Sequence, residues 1–174
     1  AASARTLANN FAVGGDFSLG GQGQAITVTG NVDLLNGTRN VTLLNSATFN
    51  GNITNGTGLG VTASTTARSL SLGGTNTFSG NTTVNGATLN VNGSLTGGVV
   101  ANSNSVVNVN GTVGSSTVSG GTLIVTGAGG NTVVNTGTAT VNSGGSITAA
   151  TVNGGLLAVN GTAGNVSVNG GTLG

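Results

Sequence analysis

Apolar residues recur along the second half of the chain in three columns that keep step with one another. Leu89, Val107, Leu123, Ala139, Leu157 and Leu173 follow along the chain at intervals of 18, 16, 16, 18 and 16. Next but one to these, Val91, Val109, Val125, Val141 and Val159 step by 18, 16, 16 and 18. A third column, Val100, Val118, Val134, Val152 and Val168, steps by 18, 16, 18 and 16. A short, nearly fixed period means that each repeat cannot bury its apolar face alone and must stack on its neighbours. With a step of 16–18 the unit is one coil of a parallel β-solenoid, which makes the fold class all-β.

Within each unit the pattern alternates with period two, as in Leu89-Asn90-Val91-Asn92 and Ala139-Thr140-Val141-Asn142, the mark of a half-buried strand. Glycine closes these strands at Asn92-Gly93, Asn110-Gly111 and Asn160-Gly161. A second corner follows Val118, Val152 and Val168, at Gly120-Gly121, Gly154-Gly155 and Gly170-Gly171. Glycine and asparagine tolerate the positive φ of a sharp corner, and both corners are read that way. Asn-Gly pairs also make hairpin turns, but a hairpin would mirror the pattern about each turn, whereas here the order repeats in one direction. About ten coils of ~17 residues, rising ~4.8 Å each, predict a rod roughly 50 Å long.

Asparagine recurs in register at Asn92, Asn110, Asn142 and Asn160, with Thr126 in the intervening place, and again at Asn135, Asn153 and Asn169. Stacked amides of this kind form hydrogen-bonded ladders, so these are read as structural residues. The first half is less regular. Strands are expected at Phe17-Ser18-Leu19, Ala25-Ile26-Thr27-Val28, Val32-Asp33-Leu34, Val41-Thr42-Leu43 and Leu70-Ser71-Leu72. The expected organisation is one continuous solenoid over residues 1–174, with wider irregular coils over 1–86 and short regular ones over 87–174. Phe11, Phe17, Phe49 and Phe78, the only aromatic residues, are expected to fill the wider core.

Composition narrows the chemistry. The chain has 35 Gly, no Pro, Cys, Met, His, Trp or Tyr, and 3% charged residues, against about 25% in an ordinary soluble domain. Its many Val and Thr residues and its net charge of +1 separate it from disordered chains, which are poor in β-branched residues and highly charged. Glycine does not recur every third residue, which excludes collagen. No run approaches the ~20 apolar residues of a membrane-spanning helix. All the charges, Arg5, Asp16, Asp33, Arg39 and Arg68, lie at or before Arg68, leaving 69–174 uncharged. Nucleic acid is therefore not an expected partner, because phosphate neutralisation needs clustered cations. Ala1 begins no recognisable secretory signal, and the repeat is interrupted at Asn169-Gly170-Gly171-Thr172-Leu173-Gly174, so a processed or excised fragment is expected.

The segment from Gly73 to Leu89, containing Gly74-Thr75-Asn76-Thr77-Phe78-Ser79-Gly80 and Gly86-Ala87-Thr88-Leu89, resembles the passenger-associated repeat of bacterial autotransporters. Ala4-Arg5-Thr6-Leu7 and Gly30-Asn31-Val32-Asp33-Leu34 through Gly37-Thr38-Arg39-Asn40-Val41-Thr42-Leu43 are similar to passenger sequence of the same kind. The resemblance implies a right-handed parallel β-helix, exported across the outer membrane of a Gram-negative cell and carried at its surface or released.

Catalysis requires tuned acids, bases or nucleophiles, and the chain offers two carboxylates without His, Lys, Cys or Tyr. The only enzymatic alternative, a polysaccharide-cleaving site of Asp16, Asp33 and Arg39, is set below a reading of scattered solubilising charges. Gly14-Gly15-Asp16 and Gly20-Gly21-Gln22-Gly23-Gln24 faintly resemble calcium-binding repeats, but Gln22 and Gln24 are not the carboxylates a hard cation requires. The same glycines open no helical pattern and so form no dinucleotide loop. No enzymatic activity, cofactor or metal is expected.

The leading expectation is a structural or adhesive protein of the bacterial surface, its partner a second copy of itself stacked end to end or side by side. A second is a passenger that binds a host receptor or glycan through Asn55-Gly56-Thr57-Gly58-Leu59-Gly60 and Thr62-Ala63-Ser64-Thr65-Thr66. A third, ice binding, would use the column Thr88, Val106, Thr122, Thr138, Leu156 and Thr172, which apolar residues interrupt twice.

Overall fold

A computed structural model describes residues 4–21 and 23–174, leaving Ala1, Ala2, Ser3 and Gln22 outside the described residues. Among the described residues there is no helix; every regular element is a strand, and the strand pairings are parallel. The fold is a β-solenoid of about nine turns, each passing through three faces.

The first face carries the most regular column. Arg5–Leu7 pairs with Ile26–Val28, which pairs in turn with Ala47–Phe49 and Ser69–Leu72. The stack continues through Thr88–Val91, Val106–Val109, Leu123 to Val125, Ala139 to Val141 and Leu156–Val159, and reaches Thr172–Leu173. The inner positions Val28, Phe49, Leu72, Val91, Val109, Val125 and Val141 are all buried. They step along the chain by 21, 23, 19, 18, 16 and 16, so the coils are wider at the start and shorter later. Nine turns at ~4.8 Å per turn give a stack of roughly 43 Å.

The second face stacks Phe11, Val32, Ile53, Asn76, Leu95 and Val113. The third runs Phe17, Val41, Val61, Val84, Ala101, Val118, Val134, Val152 and Val168. Side chains from the three faces meet in one continuous apolar core. Phe49 and Phe78 are wholly inside it, whereas Phe11 and Phe17, at the first coil, are half-buried against it.

One predicted core position is displaced. Val100 pairs with Thr117 and is half-exposed; Ala101, its neighbour, pairs with Val118 and is buried in the column. The coil step shortens from 18 to 16 here by giving up one residue at each of two corners, seen as register shifts between Leu95 and Gly98 and at Asn102. The third face, lying between those corners, therefore takes an intermediate step from Ala101 to Val118. A one-residue slip turns a strand residue to the opposite face. Val159, Val168 and Leu173 keep their predicted columns in register but are not core: Val159 is half-buried, and Val168 and Leu173 are 46% and 49% exposed. The remaining column residues Leu89, Val91, Val107, Val109, Val118, Leu123, Val125, Val134, Ala139, Val141, Val152 and Leu157 are buried.

Candidate functional site: stacked corners and outer faces

The coil corners are where sequence, packing and surface meet. At the corner joining the first face to the second, Gly30, Gly51, Gly74, Gly93, Gly111 and Gly127 lie one above another. A β-carbon on any of them would collide with a backbone carbonyl of the coil below: Asn9 beneath Gly30, then the preceding glycine in each case. None of these has a positive φ. The expectation for Gly93, Gly111 and Gly161 is thus corrected: glycine is required by close approach between backbones, not by a left-handed conformation. The approach is close because two successive amides share one carbonyl. Asn92 and Gly93 both donate to Leu72 O, and Asn110 and Gly111 both donate to Val91 O, at 2.9 to 3.0 Å. A carbonyl with two lone pairs can accept both bonds. The corner after the third face does use positive φ, at Gly120 (99°) and Gly155 (71°).

Asparagine side chains tie the corners together in two distinct ways. Amide-to-amide ladders join Asn92 to Asn110, with Nδ2 of Asn110 donating at 2.9 Å, and Thr126 then donates to Asn110 at 2.8 Å. A second ladder joins Asn135, Asn153 and Asn169, each step 2.9 Å. Asn142 and Asn160 keep the column position but make no ladder bond among the described residues. The reason is an insertion: Ser143 and Gly144 separate Asn142 from Gly145, whereas Asn110 and Gly111 are adjacent, and Gly145 N donates back to Asn142 O to close the extra turn.

Sequence reasoning missed the other device. Oδ1 of Asn10 accepts from Asn31 N at 2.7 Å, Oδ1 of Asn31 from Asn52 N at 2.9 Å, and Oδ1 of Asn52 from Thr75 N at 2.8 Å. Here each side chain caps the backbone of the next coil. The signal was present as Asn-Phe, Asn-Val and Asn-Ile at Asn10, Asn31 and Asn52, equally spaced with a step of 21. Thr75 takes the fourth place, and the residue after it, Asn76, occupies the inward column between Ile53 and Leu95 and is completely buried. Its Oδ1 accepts from Ile53 N at 3.1 Å and its Nδ2 donates to Gly74 O and Ser94 O at 3.1 and 3.0 Å, so a polar group occupies a core position with its amide bonded on both sides. Ladders Asn102 to Asn85 and Asn108 to Asn90, both 2.8 Å, were also missed.

Four of the five charged residues, Asp16, Asp33, Arg39 and Arg68, are occupied by structural partners. Asp16 accepts from both Nδ2 and the backbone amide of Asn40, at 2.9 and 2.8 Å, and these bonds hold its carboxyl below the ordinary aspartate value. Asp33 accepts from Leu35 N and from Asn55 Nδ2, at 2.8 and 3.0 Å. Arg39 donates through Nε to Val13 O at 2.8 Å, and Arg68 donates to Leu43 O at 3.0 Å. Asp16 lies close enough to Arg39 for the positive charge to contribute weakly to its lowered pKa, while Asp33 is engaged with a different corner. No group of three potential metal-ligating side chains forms among the described residues. The glycine-rich stretch around Gln22 lies in part outside the described residues.

Of the two expected display loops, one is not a loop. Asn55 to Gly60 belongs to the strand Ile53–Thr62, with Gly56, Gly58, Leu59 and Gly60 buried. The other, from Thr62 to Thr66, is exposed at Thr62, Ser64, Thr65 and Thr66, and Thr88 Oγ1 fastens it to the next coil through Thr66 O at 2.7 Å. The column Thr88, Val106, Thr122, Thr138, Leu156 and Thr172 stacks in register on the outer side of the first face. Its companion column runs Asn90, Asn108, Ile124, Thr140 and Ala158, so of these coils only Thr138-Ala139-Thr140 presents threonine in both.

Compared with known families, curated proteins and solved structures, the chain matches none.

Proposed function

We propose that the chain is a structural and adhesive element of the bacterial cell surface or extracellular space, exported across the outer membrane as an autotransporter-like passenger. The observation that carries this reading is the cross-coil fastening. Glycine corners admit close backbone contact, and asparagine ladders lock successive coils along the stack. Such a stack is a stiff rod whose later surface is uncharged Asn, Ser and Thr. The passenger-repeat resemblance of Gly73 to Leu89 supports the surface location.

In this reading the partner is a second copy. The weak self-repulsion of a chain with net charge +1 favours association, and exposed Leu7 and Leu173 at opposite ends of the stack offer apolar contacts. Negative-stain electron microscopy across a concentration series tests it. Filaments of constant width are expected to lengthen with concentration. Single rods of roughly 43 Å at every concentration would reject self-assembly and leave the exposed segment Thr62 to Thr66 as the contact region for a receptor or glycan.

A further inference from the structure

The chain contains nine Asn-Gly pairs, at Asn36, Asn50, Asn55, Asn85, Asn92, Asn110, Asn153, Asn160 and Asn169. An Asn-Gly pair is chemically labile when its parts can meet: the glycine nitrogen attacks the asparagine side-chain carbonyl carbon. The new C–N bond closes a five-membered succinimide, the Cγ–Nδ2 bond breaks, and ammonia leaves carrying the proton lost by the glycine amide. Water then opens the ring to an aspartyl or isoaspartyl residue. We infer that the solenoid protects eight of these pairs and leaves Asn36-Gly37 as a site of spontaneous deamidation.

Protection follows from the coil contacts. In five pairs the glycine amide that would attack already donates to the coil below: Gly93 to Leu72 O, Gly111 to Val91 O, Gly154 to Val134 O, Gly161 to Val141 O and Gly170 to Val152 O. Oδ1 of Asn85 accepts from Asn102, and Nδ2 of Asn55 is held by Asp33. Gly51 is packed between the backbones of Gly30 and Gly74, and this close stacking restrains the backbone movement that ring closure at Asn50-Gly51 needs.

Exposure does not set Asn36 apart, since all nine asparagines are exposed. Its side chain makes no hydrogen bond among the described residues, and it follows Leu35 in a run of two left-handed residues, φ +50° and +56°, that precedes no other of these glycines. The strand pairing shifts register on both sides of Gly37, between Asp33 and Gly37 and between Gly37 and Thr38, so the local backbone departs from the regular ladder. What lies against the α-carbon of Gly37 is the guanidinium of Arg39, a side chain instead of a neighbouring coil. A cation beside the Gly37 amide also favours the loss of its proton, which the attack requires. Conversion to aspartate would take the formal net charge from +1 to zero.

The arginines make the test direct, because tryptic cleavage after Arg5, Arg39 and Arg68 isolates Asn36-Gly37 in peptide 6–39, two pairs in 40–68 and six in 69–174. The folded full chain is incubated at mildly alkaline pH, then denatured, digested and mapped by mass spectrometry with fragmentation to place each deamidation. Peptide 6–39 is expected to be modified at position 36 several-fold faster than any pair in the other two peptides, and an Asn36→Gln variant to lose that signal. A chain incubated unfolded in urea should show comparable rates at all nine pairs. Equal rates in the folded chain, or a position 36 that stays intact while the unfolded chain reacts there, would overturn the assignment.

Discussion

Thr82 sits in an inner column of the third face with Leu59 on one side and Val99 on the other, and its buried Oγ1 has no hydrogen-bond partner among the described residues. Thr132 Oγ1 shares this condition, while Ser116, stacked beneath it, donates to Gly129 O at 3.0 Å. An apolar surround gives a water molecule too few polar partners to settle beside Thr82. Replacing the hydroxyl by a methyl keeps the β-branched shape and removes a desolvated polar atom. Thr82→Val is therefore expected to stabilise the fold by about 1 kcal/mol, read as a higher urea midpoint at unchanged slope. A lower midpoint would show that the hydroxyl has a partner. Asn76 is the contrasting case, since that buried amide bonds at both Oδ1 and Nδ2 and joins three coils.

The corner is the element on which stacking depends. Gly111 rests against the carbonyl of Gly93 and bears Gly127 above it, so a methyl group there must push two coils apart. Gly111→Ala is expected to cost about 1–3 kcal/mol, whereas Gly15→Ala, with open space around the new β-carbon and no positive φ, should stay within about 0.5 kcal/mol of the parent. Equal effects in urea titrations would refute the packing account.

Much at this scale could be read from the chain. Period-two strands and the recurring step of 16 to 18 define the faces, their parallel order and most of the core, because inward residues must recur once per coil. Three things could not be read. Val100 falls outside its predicted column because a coil can shorten at two corners separately, and the apolar pattern Val99-Val100-Ala101 does not say which residue faces inward. The corner glycines were visible, but their cause, a carbonyl in the next coil, is a contact across a whole turn of the solenoid. Ladder bonds at Asn142 and Asn160 failed because column position depends on the strand, whereas side-chain contact depends on the length of the turn that follows it.

The whole molecule has little with which to respond to acid. It has only two side-chain carboxylates, and that of Asp16 is held below the ordinary value by its bonds to Asn40. A lowered folded-state pKa means that the contribution of Asp16 is present above the unfolded value and is lost as pH falls through the folded one. The urea midpoint should accordingly remain flat from neutral pH down to about 5 and decline only slightly below about 4. Asp16→Asn should remove part of that decline. A steep loss near pH 6 would contradict this view of the electrostatics. Stability is expected to come instead from short-range contacts repeated from coil to coil, each coil resting on its immediate neighbours.

The turn at Ser143 and Gly144 is longer by those two residues than its counterpart at Asn110-Gly111, yet the faces before and after it remain paired: Ala139 with Leu157, Val141 with Val159, and Ile147 with Ala163. A β-carbon at Gly144 would meet nothing within 4 Å. This corner is thus a natural port in the shaft. Foreign peptide grafted between Ser143 and Gly144 would hang outside the rod as cargo, and several such corners along one shaft would set their cargoes at spacings fixed by the coil rise.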